Sequence, residues 1–141
     1  MLTNIALEEL AMNAATPSLG ITGLGQIAIN AHNIERATAF YRDKLGLRLL
    51  FTAGKLAFFD CGGIRLMLDV AEKPEFDHPS SILYFRVADI NAAYRHMVDN
   101  AVAFEDKPHI IAKMPDHDLW MTFFRDSEQN LLALMSEAPR N

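Results

Sequence analysis

Residues 26–41 read QIAINAHNIERATAFY and residues 82–97 read ILYFRVADINAAYRHM, and the second stretch repeats the grammar of the first at a constant offset of 56 residues. In each, apolar residues alternate, as Ile27, Ile29 and Ala31 or as Leu83, Phe85 and Val87, which marks a strand with one apolar face. Each strand then meets a residue able to cap a helix by accepting from its first free N–H groups, Asn33 in one case and Asp89 in the other. Behind those caps, Ile34, Ala37, Tyr41 and Leu45 recur at helical spacing, and so do Ile90, Ala93, Tyr94 and Met97. Gly46 supplies the stop of the first helix, and the second is predicted to end near Asp99-Asn100. An offset kept through strand, cap and helix is the mark of an internal duplication.

Three β-rich runs follow each helix: 47–52, 55–61 and 64–70 in the first unit, then about 102–113, 117–125 and 130–137 in the second. Tight turns at Ala53-Gly54 and Gly62-Gly63 separate the first three, and a polar stretch holding Pro74 and Pro79 separates the units. Each unit reads βαβββ. The fold class is therefore α+β, with two βαβββ modules forming one curved, cavity-containing mixed sheet. Module one spans about 23–70 and module two about 81–137, within a single domain over 23–137. A module of about 50 residues alone buries too little surface to be stable, so the two must share a core. Residues 1–22 read as an extension with a short helix around Ile5, Leu7, Leu10 and Met12, whose apolar stripe needs a partner surface on its own domain or on a second subunit.

The chain has 141 residues and a net charge of −5, with a pI near 5.4, which argues against nucleic acid and anionic membrane surfaces as partners. Its one cysteine, Cys61, cannot form an intrachain disulfide, and no apolar run is long enough for a bilayer, so a cytoplasmic location is expected. Nucleotide-binding glycine patterns and a serine nucleophile elbow are missing from the sequence. Cys61, with Asp60 beside it and no basic neighbour, reads as a turn or buried thiol rather than a nucleophile.

Residues 24–137 resemble the vicinal oxygen chelate superfamily, which contains glyoxalase I, bleomycin-resistance proteins and extradiol dioxygenases. The resemblance is carried by residues 24–29 (LGQIAI), 34–47 (IERATAFYRDKLGL) and 84–94 (YFRVADINAAY), and by Phe124-Arg125-Asp126 with residues 130–134 (NLLAL). It implies the fold far more than a reaction, since lyases, isomerases, oxygenases, thiol transferases and plain binding proteins share this scaffold. In metal-dependent relatives the ligands come from the first and last strand of each module. By this resemblance the four places hold Gln26, Met67, Ile82 and Ala133. Thioether sulfur suits hard divalent ions poorly, and Ile and Ala offer no donor, so neither a metal nor any other cofactor is expected. A register slip of one residue brings in Asp69 or Glu137, but it also turns the apolar strand faces outward.

Strict alternation sends Gln26, Ala28, Asn30, Arg65, Met67, Tyr84, Arg86, Leu131, Ala133 and Met135 to the sheet face away from the helices. This is a mostly apolar set with a few polar groups, as in a small-molecule pocket or a simply filled one. Trp120, Phe123 and Phe124 add aromatic rings whose facing the pattern leaves open. The candidate ligand-binding residues are Gln26, Asn30, Arg65, Met67, Tyr84, Arg86, Trp120 and Ala133. Arg65 has Asp69 two residues along its face, which allows either a lateral ion pair or a guanidinium free for a ligand oxygen. In a hairpin, His109 is expected opposite about Trp120 and His117 opposite about Ala112, while His32, His78 and His96 fall at solvated positions. The expected function is binding of a small, largely apolar organic ligand by a metal-free homodimer. The alternative is a lyase or isomerase of the glyoxalase type acting on a small carbonyl compound, although the predicted face shows no evident general base.

Overall fold

The computed structural model describes residues 19–140, so the N-terminal helix expected around Ile5–Met12 lies outside the described residues. The chain forms β1 (Gln26–Ala31), α1 (Ile34–Ala39), β2 (Arg48–Ala53), β3 (Leu56–Cys61) and β4 (Ile64–Val70), then β5 (Leu83–Arg86), α2 (Ile90–Asp99), β6 (His109–Lys113), β7 (His117–Arg125) and β8 (Leu131–Pro139). Asn33 caps α1 by accepting from the Arg36 N–H, and Asp89 caps α2 by accepting from that of Ala92. α1 runs on into a π turn, Phe40–Lys44, and the chain reverses at Gly46, whose φ of 70° suits a residue without a Cβ. The strand run expected from residue 102 is shorter, because Phe104 turns inward onto Tyr94 and Phe124 and leaves only β6 as a strand.

Two βαβββ modules are present, as expected, and their hydrogen bonding is divided into two four-stranded mixed sheets, β1-β4-β3-β2 and β5-β8-β7-β6. The parallel pairings place Ile27 opposite Leu66, Ile29 opposite Leu68, Leu83 opposite Leu132 and Phe85 opposite Leu134. All eight residues belong to one core or pack against it, together with Ala37 and Tyr41 of the first helix and Ile90 and Met97 of the second. Two modules thus share a single apolar interior, which neither could fill alone.

The β6–β7 hairpin corrects the sequence reading. Its turn is longer than expected, with Lys113 opposite Asp118, and a bulge at Ile111 adds a residue to β6. His109 consequently lies opposite Met121, Trp120 opposite Ile110, and His117 opposite Pro139 of β8. Trp120 shares its strand face with buried Thr122 and Phe124 and packs against the core.

The turn between β7 and β8 ties the modules together. Asp126, buried, accepts from the Tyr41 hydroxyl at 2.6 Å, from the N–H groups of Glu128 and Asn130 at 2.8 Å, and from Asn130 Nδ2 at 2.8 Å. Glu128, also buried, accepts from the N–H groups of His32 and Asn33 at 2.8 Å, from Arg36 Nε at 2.6 Å and Nη2 at 3.1 Å, and from the Ser127 hydroxyl at 3.0 Å. Burial opposes the charge on Glu128, but the Arg36 guanidinium and the backbone and hydroxyl donors outweigh it and hold the carboxyl at about 2. Burial, then the charge of Asp126, pushes the Tyr41 phenol far above its ordinary value, so it remains a donor at every working pH.

Tyr41→Phe removes a hydrogen bond to a buried carboxylate and is expected to lower stability by about 1.5–3 kcal/mol in urea denaturation, with an unchanged denaturant slope. For Glu128 the folded value lies below the ordinary 4.5, so its contribution is complete above 4.5 and is lost as pH falls towards about 2. A stability–pH profile of Glu128→Gln is expected to show a shallower acid limb than the wild type between those values.

Candidate functional site

Facing away from the helices, each sheet presents a second surface, which on module one is crossed at its Asn30–Asp69 end by residues 72–80. On module one the ladders bring Gln26, Ala28 and Asn30 of β1 beside Arg65, Met67 and Asp69 of β4, and these beside Leu56, Phe58 and Asp60 of β3. Phe51 of β2 stacks on Phe58, with ring centroids 4.4 Å apart, and is itself 47% exposed. Arg65 Nε donates to Gln26 Oε1 at 3.0 Å, and the guanidinium carbon lies 5.6 Å from the Phe58 ring centroid. The lateral pair with Asp69 does not form; Asp60, across the ladder from Arg65, instead lies 4.0 Å from Arg48. Gln26 Nε2 approaches Met67 Sδ at 3.5 Å.

Module two repeats this layout with apolar content. Tyr84 and Arg86 of β5 flank Ala133 and Met135 of β8, which face Phe123 and Met121 of β7. Tyr84, 45% exposed, meets Phe123 edge to face at 5.9 Å, and Ala133 is fully buried in their row. Among the three aromatic candidates it is thus Phe123 that faces outward, while Trp120 and Phe124 serve the core. Arg86 Nε stands 4.0 Å from Glu137 Oε1, a loose pair between exposed groups. The bulged register puts His109, opposite Met121, on this face, and alternation along β7 puts His117 there too. His109 Nδ1 is engaged by the Lys107 carbonyl at 2.8 Å, and His117 Nδ1 lies 2.7 Å from Asp116.

Clefts border these faces at both ends of β1. Tyr84, Arg86 and Met135 reach one of about 610 Å³, whose far wall is Leu45, Cys61 and Ile64. At the other end of β1 the connection after β4 folds over the strand and encloses two more, of about 550 and 580 Å³. That strap is anchored by polar bonds. Asp77 Oδ1 accepts from Asn30 Nδ2 at 2.7 Å and lies 2.8 Å from His32 Nε2, while the Asn30 N–H donates to Ser80 Oγ at 2.7 Å. Asn30, a candidate ligand residue, also anchors the strap, and His32 is exposed but partnered. The Asn30 amide and then His32 hold the Asp77 carboxyl below the usual range. Burial holds the Cys61 thiol above its ordinary value, against nucleophilic use.

Of the four places that could have held a metal, Gln26 and Met67 stand on the first sheet and Ala133 on the second, while Ile82 lies just before β5. Ile82 lines the cleft at the Asn30 end of β1, four residues beyond Gln26. The side-chain oxygen of Gln26 is taken by Arg65, and its amide nitrogen faces sulfur. These residues do not fit a hard divalent ion. Among the described residues no group of three or more His, Cys, Asp or Glu side chains converges as a metal site.

The sequence pattern of the Glyoxalase/Bleomycin resistance protein/Dioxygenase superfamily matches residues 23–134. The protein YraH of Bacillus subtilis (strain 168) is 25% identical over 126 residues, which cover 77% of this chain and 94% of that one. The fold is similar to that of lactoylglutathione lyase from Agrobacterium tumefaciens, with a TM-score of 0.64 at 22% identity over 83% of this chain and 95% of that one. It is also similar to a member of the same superfamily from Sphaerobacter thermophilus DSM 20745, with a TM-score of 0.69 at 22% identity over 84% and 100% of the two chains.

The strap from Glu72 to Pro79 has no buried residue, so its position depends on the Asn30, His32 and Ser80 contacts. Asp77→Ala is expected to speed amide hydrogen exchange across residues 72–81 while protection in β7 and β8 stays as in the wild type.

Proposed function

The chain belongs to the Glyoxalase/Bleomycin resistance protein/Dioxygenase superfamily, and from that footing we propose that it binds a small, largely apolar organic molecule on its open sheet faces, without a resident metal ion. One observation carries this reading: the positions that would supply metal ligands hold Met67, Ile82, Ala133 and a glutamine already bonded to Arg65, on faces lined by exposed aromatic rings. Apolar surface of this kind, rimmed by polar groups, is what small-molecule sites offer. A second copy of the chain closes the groove in this reading, since Phe51 on one sheet and Tyr84 on the other stand exposed. No helix among the described residues is long and apolar enough to cross a membrane.

A lyase or isomerase of the glyoxalase type is the second reading, favoured by Asp69, Glu137 and His109, which lie on the open faces and could move a proton. Conversion of a hemithioacetal by protein supplemented with zinc, nickel or magnesium, and its loss on chelation, would select this reading over metal-free binding.

A thermal-shift panel of aromatic and carbonyl compounds is expected to yield at least one that stabilises the protein, by about 2.7 kcal/mol at a hundredfold excess over its Kd. Exhaustive dialysis against EDTA is expected to leave that shift unchanged. Light scattering is expected to give twice the mass of the chain.

A further inference from the structure

The geometry points to a carboxylate clamp at Arg65, so that the ligand class of the open groove is an aromatic or arylalkyl carboxylate. This inference rests on the binding reading above and names its ligand chemistry.

Arg65 is exposed on the open face, and its Nε–H is spent on Gln26 Oε1. Its terminal nitrogens have no bond or ion-pair partner among the described residues. The carboxylates nearest to it in register are turned elsewhere or left unpaired: Asp60 leans towards Arg48, and Asp69 makes no ion pair with it. The guanidinium is nevertheless held in place. Gln26 fixes one edge, the Phe58 ring lies 5.6 Å from its carbon, and Phe58 is clamped in turn against Phe51. Exposed arginines ordinarily wave in solvent. An oriented planar fork with two free N–H edges suits a carboxylate, which it can grip through two parallel bonds.

Beside that fork stands a ring platform. The Phe51 and Phe58 rings stack at 4.4 Å with an interplanar angle of 23°, and Phe51 keeps about half of its surface in water. A ligand ring can cover this surface while its carboxylate, one or two methylene groups removed, reaches Arg65. Gln26 acts here as a positioning residue. Its amide stands where a metal ligand would, and it orients the cation that takes over the task of holding ligand oxygens.

The probes are phenylacetate and 3-phenylpropionate, each paired with its neutral primary amide, titrated calorimetrically against the full chain. The acids are expected to bind at least about tenfold more tightly than the amides, a difference of about 1.4 kcal/mol. In Arg65→Met this preference is expected to fall to within about twofold, whereas Arg65→Lys keeps the charge without the fork and retains only part of it. Gln26→Leu is expected to weaken the acids while sparing the amides, and Phe51→Ala to weaken both. Arg65 and Phe51 are exposed, so the native far-ultraviolet spectrum and urea midpoint of each variant confirm that its fold is intact. Equal binding of acid and amide to the wild type, or a preference that survives Arg65→Met, overturns the clamp and leaves the groove reading standing. No binding of any probe also overturns the clamp, and the groove reading then falls only if the neutral compounds of the thermal-shift panel fail as well.

Discussion

Two carboxylates placed out of reach of water must be met by hydrogen-bond donors, and meeting them brings both modules together. Asp126 and Glu128 draw donors from Tyr41, Arg36 and the backbone of His32 and Asn33, all in module one, although both acids belong to the β7–β8 turn of module two. A buried ionised group left without partners costs several kcal/mol, so every one of these contacts forms with the fold or the turn does not bury. The Asn33 cap gains twice from this arrangement. Its side chain satisfies the Arg36 N–H, while its own N–H is held by Glu128 at the positive end of the helix. The latch also sets the level of β1, because Asn130 Nδ2 donates to the Asn30 carbonyl at 2.7 Å, close to where the strap is moored.

From that fixed seam the open faces follow. β1 and β5 are the inner edge strands of their sheets, and no ladder joins them among the described residues. The free edge of β1 is served instead by side chains, with Ser80 accepting one N–H and Asn130 donating to a carbonyl. Edge groups satisfied in this way need no further strand. The result is a pair of sheets whose helix sides are sealed against one core and whose other sides face away from it.

Most of the architecture was legible because it is written in period and offset. The alternation of Ile27 and Ile29, the caps Asn33 and Asp89 and the 56-residue repeat fix elements whose core faces the structure reproduces. The failures have local physical causes. A one-residue bulge at Ile111 is invisible to alternation, yet it moves every residue beyond it, and with it the partners of His109 and Trp120. Trp120 stands at even spacing from Phe124, and Phe124 went to the core, which would have placed the tryptophan had the facing of either ring been known. The protein partners of Asn30 and Arg65 were not legible, because the strap that carries Asp77 is set by tertiary contacts and the Arg65 guanidinium meets Gln26 rather than Asp69.

The duplication itself shows where the two modules have parted. Register equates Arg65 with Leu131, Met67 with Ala133 and Phe58 with Phe123, while Gln26 answers to Ile82 at the 56-residue offset. Inside, equivalent positions have kept their chemistry, as Leu66 and Leu132 or Leu68 and Leu134 illustrate. On the open faces one ring position is kept and its surroundings have diverged. Phe58 has a guanidinium and an amide beside it, whereas Phe123 has Tyr84 and the methyl group of Ala133. A core tolerates little change in polarity because every misplaced polar atom costs desolvation, so divergence concentrates where solvent or a ligand can satisfy it. One face thereby carries an oriented guanidinium beside its ring, and the other a tyrosine and a methyl group beside the equivalent ring.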